Sequence, residues 1–339
     1  MIKDSHKKCK IIAEVAQAHD GSFGIAKSFI DAVSDTGVDI IKFQTHIAKA
    51  ETTKKEPWRI KFSEQDKSRY DYWKRMEFNE KQWLELKNYS EKNGLKFMSS
   101  PFSLEAVNLL KKIDTYAWKI ASGEINNDQI LDSISESGKE IYLSTGMSSI
   151  DEIDSAVEKI KKRNLPLTIM QCTSMYPTPP DKIGLNNINL FKERYNCNVG
   201  LSDHSSSIFT GIAAASLGIN ALEVHVTFDK NMFGPDTSSS LTISELKTLV
   251  EGVRYVENIL NNDVDKNKIA AELKPLKKIF SKSIVYKKDL VKNSIITKSK
   301  ICFKKPGNGV DPSDIKKVIG KKLAKDVKSD DLLLMSDLK

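Results

Sequence analysis

No run in this chain approaches the roughly 18 consecutive apolar residues of a membrane-spanning helix, and the opening Met1-Ile2-Lys3-Asp4-Ser5-His6-Lys7-Lys8 lacks the apolar core of a secretion signal. Both absences point to a cytoplasmic protein with no membrane partner. Cysteine is scarce: Cys9, Cys172, Cys197 and Cys302 lie far apart and form no CxxC pair, which speaks against a disulfide framework or a cysteine zinc site. These thiols are expected to be reduced and mostly buried as small hydrophobes. No internal repeat or low-complexity tract is present. Arginine is missing altogether from Asp263 onward, where 20 lysines stand against 10 acidic residues; the formal charge of +8 is therefore concentrated in a tail of +10, and the first 262 residues carry −2. The tail lysines are scattered among strand-like residues without interleaved aromatics or an arginine-rich patch, so nucleic acid is not expected as a partner. A solvated lysine face, or a lysine brought over an anionic substrate, accounts for them better.

What is present is a regular alternation of two periods. Apolar, β-rich runs recur at Ile11–Val15, Ile40–Gln44, Lys96–Ser99, Ala117–Ala121, Ile141–Ser144, Leu167–Cys172, Val199–Ser202 and Leu222–Thr227. Segments of helical period lie between them, among them Ile25–Val33, Glu80–Glu91, Leu104–Leu110, Ile153–Ile160 and Ile243–Ile259. Eight strands alternating with helices predict an α/β fold, a (β/α)8 TIM barrel, over residues 1–262. The insertion from Thr45 to Phe78 is long and rich in aromatics and charge (Trp58, Arg59, Tyr70-Asp71-Tyr72-Trp73, Arg75), which reads as a lid or specificity element. Residues 263–280 read as a lysine-rich linker with a short helix. Residues 281–339 read as a compact β-rich domain around the turn signal Pro306-Gly307-Asn308-Gly309.

Two histidines stand out in that scheme. His204, in Gly200-Leu201-Ser202-Asp203-His204, and His225, in Leu222-Glu223-Val224-His225, each close a strand-like run, with one helical stretch, Ile208 to Leu217, between them. A βαβ unit with a histidine at the same end of both strands brings two imidazoles to the carboxyl mouth, where barrels do their chemistry. Such a pair suits a divalent metal with positions left open for substrate. The other strand ends are polar as well. They supply Glu14, followed by Gln17 and His19; Lys42 and Gln44; Ser100; Lys119, Ser122 and Glu124; Ser144; and Ser174 within Thr173 to Pro179. Two lysines among hydroxyls form an oxyanion site, one supplying point charge and the other directed donors.

These residues resemble the sialic acid synthases, which condense phosphoenolpyruvate with an N-acetylated hexose to give nine-carbon 2-keto-3-deoxy sugar acids. The resemblance rests on the order and spacing of Ala13-Glu14, Lys42-Phe43-Gln44-Thr45, Ser100-Pro101-Phe102, Lys119 to Glu124, Leu143 to Met147, Cys172-Thr173, Tyr176-Pro177-Thr178-Pro179, Gly200 to His204, Glu223-Val224-His225 and Gly234-Pro235-Asp236. Through Lys305-Pro306-Gly307-Asn308-Gly309 it extends into the tail, which is similar to the antifreeze-like (SAF) domain of those enzymes. It implies that His204 and His225 hold a divalent metal, manganese first and magnesium or cobalt as alternatives. It also implies that Lys42, Ser100, Lys119, Ser122, Ser144, Ser174 and Ser202 surround phosphoenolpyruvate, and that Glu14, Tyr176 and Asp236, together with Gln17, His19 and Lys305, lie toward the acceptor sugar. Glu14 and Glu124 are the candidates for proton transfer, without a division of roles between them. The family's small domain is swapped in a homodimer, so Lys305 is expected to reach the partner's mouth in trans.

Three departures from the family pattern bear on the acceptor: Ala18 before His19 in place of asparagine, Lys305 in place of arginine, and Ser174 in place of asparagine. The acceptor is therefore N-acetylmannosamine or a related 2,4-diacetamido-trideoxyhexose, the latter giving legionaminic or pseudaminic acid; the intact Pro306-Gly307-Asn308-Gly309 speaks against the pseudaminic branch. Two rival readings are condensation with a phosphorylated sugar, as in octulosonate- and heptulosonate-phosphate synthases, and a non-catalytic carbohydrate- or surface-binding protein. The first has no use for the antifreeze-like tail, and the second none for the histidines and lysines.

Overall fold

A computed structural model describes residues 8–339; most of the opening stretch read above for a secretion signal lies outside the described residues. The chain divides into two compact units, Met1–Asn262 and Asp263–Lys339. In the first, β1 (Lys10–Ala16), β2 (Ile40–Thr45), β3 (Lys96–Pro101), β4 (Trp118–Ile120), β5 (Ile141–Ser144), β6 (Leu167–Cys172), β7 (Asn198–Asp203) and β8 (Ala221–Thr227) pair in sequence order. Parallel pairing of β1 with β8 closes the barrel, with Ile12 opposite Glu223 and Glu14 opposite His225. A two-residue strand, β9 (Leu241–Thr242), pairs parallel with the end of β8.

The helices are cut at positions the local sequence dictates. Ser22 caps α1 (Phe23–Ser34) by accepting from the Ile25 N–H. The insertion after β2 folds into α2 (Ala48–Glu51) and α3 (Arg69–Met76), the latter started by a Ser68/Asp71 capping box. Capping boxes from Asn79 and Gln82, and from Ser149 and Glu152, open α4 (Glu80–Lys92) and α7 (Ile150–Lys161). The outer layer is completed by α5 (Leu104–Lys112), α6 (Asp128–Ser135), α8 (Asn186–Tyr195), α9 (Ile208–Ser216) and α10 (Ile243–Asn261).

Side chains alternate across each strand, and here the two faces have different neighbours. Ile11, Ala13, Ile41, Phe43, Phe97, Leu143, Ile169, Leu201 and Leu222 point outward and pack against the helices. Ile12, Ile40, Met98, Ala117, Tyr142, Met170 and Ala221 form a separate cluster that fills the barrel interior. Gly200 completes that tier because nothing larger fits: a Cβ there would meet Met170 Sδ at 2.5 Å and Ala221 O at 2.6 Å.

In the second unit, α11 (Lys266–Glu272) and α12 (Lys274–Phe280) occupy the segment read as a linker, so two short helices stand where one was expected. Strands β10 (Ser283–Tyr286) and β11 (Ile301–Lys304) pair antiparallel. With the one-turn helix α13 (Ile315–Val318) they enclose a core that includes Ile284, Tyr286, Ile296, Val318, Leu323 and Leu333. No helix among the described residues is long and apolar enough to cross a membrane.

Candidate active site

Two residues beyond the apolar tier, the same inward face presents Glu14, Lys42, Ser100, Lys119, Ser144, Cys172, Ser202 and Glu223, with His225 one step further along β8. Period-two alternation carries this polar tier toward the carboxyl ends of the strands, where a cavity of about 470 Å³ opens. Of the residues read from sequence, Gln17, Lys42, Ser100, Lys119, Ser122, Glu124, Ser144, Ser174, Tyr176, Ser202, His204, His225 and Asp236 all line it.

The floor is a chain of buried ion pairs. Lys42 Nζ binds Glu14 Oε2 and lies 3.6 Å from Glu223 Oε1, while Lys119 Nζ donates to Glu223 Oε2 at 2.6 Å. Ser202 Oγ donates to Glu223 Oε1 at 3.2 Å. Burial pulls the Glu223 carboxyl upward, but Lys119 and Lys42 outweigh it and hold the group well below the usual carboxylate range. For Lys42, the attraction of Glu14 and Glu223 overcomes burial and raises the ammonium above its ordinary value. Lys119 is lowered by burial and by the like charge of Lys42, against the pull of Glu223. Each lysine keeps N–H donors beyond those its carboxylates take. Beside this floor the Gly146 N–H donates to Ser122 Oγ at 2.9 Å. A Cβ on Gly146 would fall within 3 Å of Ser174 Oγ, Cys172 Sγ and Ser122 Oγ, so glycine keeps a pocket open among those groups.

The histidine pair stands at the ends of β7 and β8, with ring centroids 5.1 Å apart. His204 Nδ1 lies 3.1 Å from the Thr173 carbonyl, which makes Nδ1 the donor and leaves Nε2 with a free lone pair. Burial, reinforced by His225, pushes the His204 imidazole down to about 3, so it is neutral at physiological pH. Tyr176 stacks on His204 at 4.2 Å, and the Arg59 guanidinium lies 4.3 Å from the Tyr176 ring. Arg59 also donates to Asp236 Oδ1 and to the Pro235 carbonyl, each at 2.7 Å. The other oxygen of Asp236 lies 3.9 Å from His225 Nδ1. Among the described residues no cluster of three or more His, Cys, Asp or Glu is arranged to hold a metal. The donor set that fits a divalent ion is thus the two imidazoles, with its remaining positions left to substrate and water.

Several expectations are corrected. Glu14 does not line the cavity; it is fully buried, with one oxygen on Lys42 and the other accepting from Gln44 Nε2 at 2.9 Å. It therefore holds two cavity residues, Lys42 and Gln44, in place. His19 is also outside the lining and packs against Phe78, with centroids 4.8 Å apart, and Phe43. The physical reason is a register irregularity between Glu14 and Ala16, where Ala16 adopts φ 48°: the chain turns there, aiming Gln17 at the cavity and His19 at the helix layer. Burial pushes His19 down to about 3, as befits a neutral core histidine. Cys172 is more than a packing residue, since it lines the cavity with its Sγ 3.9 Å from His204 Nδ1. Lys305 belongs to the second unit, where its Nζ lies 5.1 Å from the Phe280 ring centroid.

Residues missed as site members include Glu223, His46, Glu51, Glu56 and Arg59, all of which line the cavity. Glu223 was legible, because a glutamate two residues before His225 on an apolar strand shares its face. His46, Glu51, Glu56 and Arg59 come from the insertion, where no periodicity assigns a direction to a side chain.

A closed parallel barrel with lysines, hydroxyls and paired imidazoles at its carboxyl mouth has the build of a TIM-barrel enzyme. Within that class the chain belongs to the NeuB family, whose model matches residues 29–265, and it carries a SAF domain at residues 281–339. It is 35% identical to the N,N'-diacetyllegionaminic acid synthase of Campylobacter jejuni over 96% of this chain and 99% of that protein. A pseudaminic acid synthase from the same species is 32% identical over 99% of this chain and 98% of its own length. Among solved structures, the N-acetylneuraminic acid (sialic acid) synthetase of Leptospira borgpetersenii, in complex with citrate, superposes with a TM-score of 0.70 at 30% identity. That match covers 80% of this chain and 92% of the other.

Proposed function

We propose that this protein condenses phosphoenolpyruvate with the open-chain aldehyde of an N-acetylated hexosamine, giving a nonulosonic acid and phosphate. The observation that carries the reading is that one cavity holds both Lys42 and Lys119, with their ring of serines, and the His204–His225 pair. Lysine ammonium groups and hydroxyls bind phosphate and carboxylate together. The enol carbon of phosphoenolpyruvate forms the new C–C bond with the aldehyde carbon, a water traps the resulting cationic pyruvyl carbon, and phosphate departs by C–O cleavage. Glu124 is the group that exchanges protons during these steps. It lines the cavity, and burial raises its carboxyl against the hydrogen bond from Asn127, which favours a carboxyl able both to give and to take a proton.

The charge balance of the cavity supports two further parts of the reading. Five carboxylates and four fixed cations line it, so a trianionic substrate needs positive charge from elsewhere. His204 and His225 would hold a divalent metal, manganese or alternatively magnesium or cobalt, which when bound supplies Lewis acidity toward a carbonyl oxygen. Lys305 of a partner copy, in a domain-swapped homodimer, would supply a further cation. The acceptor is N-acetylmannosamine or a 2,4-diacetamido-trideoxyhexose. A legionaminic-type product is preferred to a pseudaminic one because of Pro306-Gly307-Asn308-Gly309, although the 35% and 32% identities to the two kinds of synthase do not separate them.

The test is phosphate release from phosphoenolpyruvate with and without a panel of amino sugars, on metal-loaded and chelated protein. Release that requires both an acceptor sugar and a divalent metal is expected, and full turnover by chelated protein would refute the metal assignment.

A further inference from the structure

Two adjacent lysines stand where the β10–β11 ladder ends, and they have different surroundings. The last pair of the ladder is Ser283–Lys304. Lys304 forms an ion pair with Asp330. Lys305, the next residue, is exposed and meets no carboxylate among the described residues; its ammonium lies over the Phe280 ring instead. Pro306 then has no N–H with which to continue the ladder.

A side chain takes over at that point. Ser283 is fully buried, and its Oγ donates to the Pro306 carbonyl at 2.6 Å and accepts from the Gly309 N–H at 2.8 Å. The two roles cannot be exchanged, because a carbonyl only accepts and a backbone amide only donates. One hydroxyl thus bridges both ends of the turn that follows Lys305. The middle of the turn is held by the Gly307 N–H, which donates to the Lys278 carbonyl of α12 at 2.7 Å, and its exit by the Val310 N–H, which donates to the Leu333 carbonyl at 2.8 Å. Space is equally tight, since a Cβ on Gly307 would meet Ser281 Cβ at 2.6 Å and one on Gly309 would meet the Leu333 carbonyl oxygen at 2.9 Å. Of these anchors, the bond from Ser283 to Pro306 is the one that acts on the neighbour of Lys305. The turn so fixed carries a cation without an anionic partner.

We propose that Ser283 is a positioning residue for Lys305: by bridging Pro306 and Gly309 it fixes the direction in which the lysine leaves β11, so that less conformational freedom is lost when the ammonium meets an anionic ligand. The inference rests on the reading that Lys305 serves the cavity of a partner copy. Because Pro306 and Asn308 are exposed and Gly309 is half-buried, water can satisfy the freed carbonyl and amide once the hydroxyl is gone. Loss of Ser283 therefore loosens the turn without unfolding the unit.

The experiment is a double-variant cycle on the full-length protein, read as kcat/KM for phosphate release from phosphoenolpyruvate and N-acetylmannosamine. Ser283→Ala should lower kcat/KM about tenfold, the effect of one lost hydrogen bond, yet change it less than about twofold when Lys305 is already alanine. A merely structural serine would cost the same in both backgrounds. Amide hydrogen exchange gives a readout independent of turnover: Ser283→Ala should speed exchange across 305–310 about tenfold and leave α13 unchanged. If Ser283→Ala does not fold, the near-isosteric Ser283→Cys, whose thiol is a weak donor, takes its place in the cycle. Equal losses with and without Lys305, an intact kcat/KM in Ser283→Ala where Lys305→Ala is impaired, or unchanged exchange in the turn each overturn the proposal. Full activity in Lys305→Ala refutes the reading on which the proposal rests and the proposal with it, whereas no phosphate release by the unaltered protein with any amino sugar refutes the condensation itself.

Discussion

Lys42 and Lys119 occupy equivalent places on the inward face yet rest on different support. Lys42 is the ion-pair partner of the fully buried Glu14, whereas Glu223, the partner of Lys119, also has Lys42 within 3.6 Å. Removing Lys42 therefore strands a buried carboxylate, and removing Lys119 does not. Lys42→Ala should destabilise the protein by about 3–5 kcal/mol, clearly more than Lys119→Ala, and a Lys42→Met/Glu14→Gln double variant should recover much of the loss; thermal unfolding of the three proteins checks the order. Both single variants should weaken phosphoenolpyruvate binding about ten- to a hundredfold, because each loses a charge-assisted contact. A calorimetric titration showing unchanged affinity in Lys119→Ala would place the phosphate elsewhere. The lysines themselves were readable as strand-end residues. Their carboxylate partners were not, since Glu14 and Glu223 meet them only across strands that close the barrel.

Among the elements, β1 and β7 make two separable predictions. In β7, a methyl group at Gly200 would press on the Ala221 carbonyl, which is backbone and cannot rotate away. Gly200→Ala should lose about 1–3 kcal/mol through overpacking; Gly24→Ala, where a Cβ meets only Ser22 Oγ at 3.9 Å, is the control expected to be nearly silent in thermal melts. At the start of β1, Asp39 accepts from the Ile11 N–H at 2.9 Å, from Arg254 on α10 at 2.6 Å and from Lys8 at 2.5 Å. Burial raises this carboxyl, but the bonds from Ile11, Lys8 and Arg254 prevail and hold it below its ordinary 3.8. A lowered folded-state value means that its contribution is complete above the ordinary carboxylate range and disappears as pH falls through and below it. The stability gap between the wild-type protein and Asp39→Asn should thus be constant from about pH 6 to 8 and close below about pH 4. A gap that widens on acidification contradicts this. Strand and helix positions in the barrel followed from period and caps, whereas the internal course of the 45–78 insertion did not, because its aromatic and charged residues pack on one another without a repeat.

At the scale of the whole molecule, the proposed function assigns the second unit a catalytic part in trans. A chain ending at Asn262 retains all eight strands and α1 to α10, so it should keep the far-ultraviolet dichroism of the barrel and lose most phosphate release. Mixing Lys305→Ala subunits with His204→Ala subunits is the sharper measurement. In a swapped heterodimer one mouth carries both defects and the other neither, so activity should reappear from two inactive parents. A demonstrably mixed dimer that stays inactive would count against closure in trans.

Local periodicity, caps and the placement of polar residues at strand ends determined the barrel, the small β-rich unit and most of the cavity lining, because each depends on residues close together in the chain. The direction of a side chain beyond a strand end depends on a single backbone turn, and for that reason Gln17 enters the cavity while His19 leaves it. Tertiary structure alone decided that Glu14 supports Lys42, that Glu223 joins both lysines, and that His46 reaches Gln17. Those contacts link strands and an insertion far apart in sequence, and they exist only once the closed barrel has brought the carboxyl ends of its strands around one cavity.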